Sequence, residues 1–105
     1  MMVLGNYVKL PANVPKTLKL TRMRIEERVI EDPKTHFTKT VRALVFDCIE
    51  EDGRPVSKIF STISEKLATQ LYALWNRRTR DYIKVRITRI PRDYATEYEV
   101  VPIEI

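Results

Sequence analysis

The chain has 105 residues, 44% hydrophobic and 31% charged, which suits one globular domain and excludes two separate cores or a disordered chain. No apolar run approaches the ~20 residues of a membrane-spanning helix. Met1-Met2-Val3-Leu4-Gly5-Asn6 lacks the basic and apolar stretches of a signal peptide, so a cytoplasmic protein carrying a formal charge of +5 is expected.

In chain order, residues 1–16 read as a leading segment in which Pro11 and Pro15 prevent regular pairing. A first strand runs from Leu18 to Ile30. Leu18 and Leu20 share one parity and Met23 and Ile25 the other, so the strand must bulge or bend near Thr21–Arg22. Glu31-Asp32-Pro33-Lys34-Thr35 is a turn. A second strand from Phe37 to Ile49 and a third from Val56 to Ile63 form a hairpin about Asp52-Gly53-Arg54-Pro55. The hydrophobic period then changes from 2 to 3.6. Ser64 is the expected N-cap of a helix with Leu67, Leu71 and Leu74 on one stripe, Ala68 and Trp75 beside it, and Arg77-Arg78 at its end. Tyr82–Ile90 alternates cleanly, with Ile83, Val85 and Ile87 inward and Lys84, Arg86 and Thr88 outward. Pro91-Arg92-Asp93-Tyr94 is a loop. Ala95–Ile105 is a last strand, ending or becoming an edge near Pro102.

One domain over residues 1–105 therefore follows the order β-β-β-α-β-β, an all-β fold with one helix. A ferredoxin-like fold needs a second helix, and an immunoglobulin-like sandwich about seven strands. The five-stranded Greek-key barrel of the OB-fold carries its helix between strands three and four and uses a bent first strand.

The chemistry is narrowed by absences in the sequence. One cysteine and one histidine exclude an internal disulfide and a thiolate–imidazole zinc site, and Gly5 and Gly53 alone make no phosphate-cradling loop. Cys48 lies in the apolar run Leu44-Val45-Phe46-Asp47-Cys48-Ile49, where an inert core thiol is expected rather than a nucleophile paired with His36. A non-enzymatic protein without a cofactor is the expectation. Of the 19 cations and 14 carboxylates, seven and two lie between Arg77 and Asp93, leaving twelve of each elsewhere. The whole excess sits in that segment, where a clustered potential attracts a polyanion. Charge richness with one Gln and three Asn also points to a thermophilic source, which itself favours surface Arg and Lys.

The opening Gly5-Asn6-Tyr7-Val8-Lys9-Leu10 resembles the start of small OB-fold single-stranded-DNA-binding proteins of phages and archaea. Ile87-Thr88-Arg89-Ile90, with Thr96-Glu97-Tyr98-Glu99-Val100-Val101-Pro102, resembles their last hairpin. The intervening loop departs from that pattern, reading Pro91-Arg92-Asp93-Tyr94-Ala95 where glycine is common. The resemblance implies a sequence-tolerant, non-catalytic binder of single-stranded DNA, with RNA as a variant. Its strand would lie on strands two and three, framed by the β1–β2 and β4–β5 loops. The expected binding residues are Lys34, Phe37 and Lys39 near the first loop, Arg42 on strand two, Lys58 and Phe60 on strand three, and Arg89, Arg92 and Tyr94 around the second loop. Phosphates would follow the cations and bases would stack on Phe37, Phe60 or Tyr94. Trp75 and Tyr82 read as packing residues, and the Arg77-Arg78-Arg80 cluster falls away from that face. The alternative is a barrel subunit of a larger assembly whose basic segment docks an acidic partner, with oligomer contacts at the leading segment and the edge near Pro102.

Overall fold

A computed structural model describes residues 6–105; Met1–Gly5, on which the signal-peptide reading and the first residue of the family-like opening rest, lie outside the described residues. The elements follow the expected order: β1 (Lys16–Glu31), β2 (Thr38–Glu51), β3 (Arg54–Thr62), α1 (Glu65–Asn76), β4 (Tyr82–Pro91) and β5 (Thr96–Glu104). All strand pairs are antiparallel, in one sheet of order β3-β2-β1-β4-β5.

The parity switch in β1 is a real break. Its register against β2 shifts between Lys19 and Leu20 and again between Thr21 and Arg24, and Arg22 has φ 54°. The bulge lets Leu18 and Leu20 before it and Met23 after it reach the same core. It also divides β1 by partner. Lys16–Thr21 pairs with β4 and, from Leu18 on, with β2 as well, whereas the stretch from Arg24 to Glu31 pairs with β2 alone. β3 ends opposite Leu44, so the distal parts of β1 and β2 leave the sheet as a two-stranded arm tipped by residues 32–37.

The β2–β3 turn has φ 51° at Asp52 and 85° at Gly53, with Glu51 facing Arg54, the two-residue geometry that matches strand twist. No atom lies within 4 Å of a Cβ built on Gly53, so only backbone strain opposes a side chain there. Gly53→Ala is therefore expected to lower stability by about 1–2 kcal/mol, read from the denaturant midpoint.

Ser64 caps α1 as expected, its Oγ accepting the Leu67 N–H at 3.3 Å. Leu67, Leu71 and Trp75 are the buried stripe. The helix ends at Asn76, where the Arg78 guanidinium donates to the Trp75 carbonyl at 3.0 Å and lies 3.8 Å over the indole. Trp75 meets Phe46 edge-on at 5.7 Å between ring centres. Around that pair the core draws on Leu18 and Leu20, Leu44 and Cys48, Phe60, Leu67 and Leu71, and Ile83, Val85 and Ile87.

The sheet is not closed into a barrel: β3 and β5 are its two edges and share no ladder. The leading segment occupies the β3 edge instead. Ile59 accepts from the Val8 N–H at 2.9 Å and donates to the Asn6 carbonyl at 3.0 Å, using backbone groups that a β3–β5 ladder would need. The same segment reaches β4, where the Asn13 N–H donates to the Arg89 carbonyl at 2.7 Å. Val8 and Leu10 pack on the core between these points, so an irregular strap spans the open side. No helix among the described residues is long and apolar enough to cross a membrane.

Candidate nucleic-acid interface

The nine residues singled out in the sequence do not converge. The β1–β2 loop follows the last residue of β1, and the β4–β5 loop lies beyond the pair of Lys16 with Ile87 at its first, so the register puts the two loops at opposite ends of β1. Lys34 and Phe37 stand at the tip of the arm, Phe37 77% exposed, and Lys39 is exposed opposite Ile30. Arg42 is exposed opposite Glu27, on the other face of the arm from Lys39. Tyr94 is fully exposed in the distant loop, and Arg92 there pairs with Glu97 at 3.3 Å. Arg89 donates from Nε to the Leu10 carbonyl at 2.7 Å and so pins the leading segment.

Phe60 requires a correction. Its parity with Val56 turns it inward, and at 2% exposure it has no face on which a base could stack. Lys58 shares that inward parity and stands at the rim of the core, 2.6 Å from Glu51. There Glu51 also meets Lys16 at 3.1 Å, and Lys16 meets Asp52 at 2.8 Å. The hydrogen bond from Lys58, seconded by Lys16, holds the Glu51 carboxyl below the usual glutamate range. Lys16 and the Thr17 N–H do the same for Asp52. Asp52 in turn raises Lys16 above an ordinary lysine.

What the fold does assemble is a band of cations on the outer face of β1 and β4. Arg24 lies opposite Val45 and Arg28 opposite Val41, on the face away from the core. Arg24 binds Glu26 at 3.0 Å and Asp47 at 3.1 Å, and Arg28 reaches Glu26 at 3.6 Å and the Ser61 hydroxyl at 3.2 Å. Arg22, largely exposed at the bulge, lies 3.9 Å from Asp47. Ala43 and Val45 are buried outside the main core, beneath this network. Across β1 the band continues with Lys19, 4.3 Å over the Tyr82 ring, then Lys84 on Glu50 at 3.3 Å, and Arg86, exposed beside Thr17. Tyr7 is exposed opposite Ile59 at the β3 edge of the same face, and Phe37 stands beyond its other end.

No family model, curated protein or solved structure matches this chain.

Arg22, Arg24 and Arg28 are not legible in net charge counted by segment, because outside Arg77–Asp93 the cations and carboxylates cancel. The signal that would have found them is parity: arginines two and four residues apart on a strand share a face. Much of the basic segment, by contrast, is engaged: Arg78 with Trp75, Arg80 5.9 Å over Tyr82, Lys84 with Glu50, Arg89 with Leu10 and Arg92 with Glu97. Cys48 is buried and its thiol is pushed up to about 11 by desolvation, while His36 stands on the exposed arm tip beside Glu31. No group of three metal-ligating side chains forms among the described residues. An open groove of about 1050 Å3 separates α1 from the arm, bordered by Ile25, Arg42, Ile63 and Tyr72.

Proposed function

We propose that this chain is a non-catalytic, sequence-tolerant binder of single-stranded nucleic acid, DNA before RNA, built on an open form of the OB barrel. The fold reading is supported by the bent β1, the helix between β3 and β4, and a strand order equal to that of such a barrel cut between β3 and β5. The functional reading is carried by one observation: the outer-face band of Arg22, Arg24, Arg28, Lys19, Lys84 and Arg86, with exposed Tyr7 and Phe37 at its ends. Carboxylates hold the guanidinium groups of Arg24 and Arg28 in place, so less side-chain entropy is lost when phosphates arrive. Arg22 and Arg86 are the freer cations that meet phosphate first. Bases stack on Tyr7 and Phe37, at about 1–3 kcal/mol per base. Lys34 and Lys39 extend the track along the arm, and Arg92 and Tyr94 belong to it only where a longer strand rounds the end of β4.

The test is fluorescence anisotropy of a labelled single strand and its duplex across a salt series. Binding is expected to favour the single strand, with a log–log slope of about −0.7 per neutralised phosphate. The double charge reversal Arg22→Glu with Arg86→Glu should flatten that slope by about 1.4 or more. A flat salt response, or equal affinity for single strand and duplex, defeats the proposal. The second reading, an assembly subunit docking an acidic partner, rests on the exposed Arg77, Arg78 and Arg80 beyond α1, outside the band. It gains if reversing those three abolishes a partner interaction while nucleic acid is not bound at all.

A further inference from the structure

From Arg24 to Glu31, β1 has β2 on one side and no strand on the other among the described residues. This leaves an open edge about 27 Å long at the usual strand rise. The arm is also amphipathic in the wrong sense for a solvated ribbon. Ile25 and Val29 are 55% and 69% exposed, while the side chains of Arg24 and Arg28 on the opposite face are only 38% and 33% exposed. A two-stranded ribbon is marginal by itself, and this edge carries no Pro or Gly; its charges are of both signs, Arg24 and Arg28 against Glu26, Glu27 and Glu31, so they can pair as well as repel.

We propose that this edge pairs with the same edge of a second copy, in an antiparallel, two-fold-symmetric homodimer centred on Glu27. A two-fold axis normal to the sheet keeps each residue on its own face, so only residues of equal parity oppose one another. Centred on Glu27, Ile25 opposes the partner's Val29 and Val29 the partner's Ile25, covering the exposed apolar pair. On the other face Glu26 opposes the partner's Arg28, twice by symmetry. The two Glu27 side chains meet at the axis, where each has Arg42 opposite it on β2 as a countercharge. Neighbouring registers fail on charge. Centred on Glu26, Arg24 opposes the partner's Arg28. Centred on Arg28, two arginines meet at the axis while Glu26 faces the partner's Ile30 and Glu27 its Val29. Like charges opposed across strands destabilise and apolar pairs stabilise; the Glu27 register leaves Arg24 facing the partner's Ile30, but of these three it alone covers Ile25 with Val29 and pairs Glu26 with Arg28. The surface is distinct from the edge near Pro102, and the inference does not depend on nucleic-acid binding.

The experiment combines light-scattering mass with single-cysteine cross-linking on the full chain. The wild type is expected at twice 12.4 kDa, and Val29→Lys at the single-chain mass with an unchanged circular-dichroism spectrum. Under oxidation Glu27→Cys should form an interchain disulfide and Arg28→Cys should not, because only position 27 meets itself across the axis; Cys48 is buried and does not compete. A single-chain mass for the wild type, a dimer that survives Val29→Lys, or equal cross-linking at 27 and 28 each overturns the proposal.

Discussion

Replacing Phe46 with alanine is expected to remove about 3–5 kcal/mol of stability, the range for deleting a fully buried aromatic ring. Phe46 is wholly buried and touches the helix through Trp75, so the cavity opens at the joint between sheet and helix, where neither element can collapse without moving the other. Phe60→Ala should cost a similar amount, for Phe60 faces Phe46 across the β2–β3 ladder in the same core. Phe37→Ala, exposed at the arm tip, should change stability by no more than about 0.5 kcal/mol and should instead weaken single-strand binding. Urea unfolding of the three variants, followed by anisotropy on those that remain folded, separates the roles. A mild Phe60→Ala would contradict the packing described here.

Glu51→Gln is expected to cost about 1–2 kcal/mol at neutral pH, because two partly buried lysines lose a charged acceptor. Glu51 and Asp52 both titrate lower in the folded chain than their ordinary 4.5 and 3.8. The unfolded chain therefore takes up protons first as the pH falls. The stabilisation is complete above the ordinary carboxylate values and is lost as the pH drops through the depressed ones. Wild type and Glu51→Gln should accordingly converge in stability under acid and diverge on return to neutrality. Lys16 has the opposite sense: raised above 10.5 in the fold, its contribution is complete below that value and fades as the pH rises past it. Denaturant midpoints over a pH series measure both limbs. A difference between the two proteins that persists unchanged below the carboxylate range would mean that Glu51 acts through packing rather than through its charge.

Local chemistry made most of the elements legible. The Asp52-Gly53 turn, the Ser64 cap, the Leu67–Leu71 repeat of the helix and the alternation of Ile83, Val85 and Ile87 each depend on residues within a few positions of one another; of the helix residues expected inward, Trp75 is buried where Leu74 is only partly so. The bulge in β1 was readable for the same reason, as a change of parity between Leu20 and Met23. The candidate site was read much less well. Phe60 and Lys58 were placed by residue type, yet their side-chain directions follow from the parity of β3 against a core that only its pairing with β2 creates.

By itself, then, the sequence determined the six elements, their order, the bend in β1 and the burial of Cys48, because propensity, capping and hydrophobic period act over short distances. Tertiary structure alone decided how distant strands meet. It gave the β3 edge to the leading segment rather than to β5, set the two loops at opposite ends of β1, and left half of β1 with β2 as its one strand neighbour among the described residues. It also drew Arg22, Arg24 and Arg28 into one band with Lys19, Lys84 and Arg86 across two strands. Register between segments sixty residues apart depends on the sum of many weak pairings, and no single stretch of the chain encodes it.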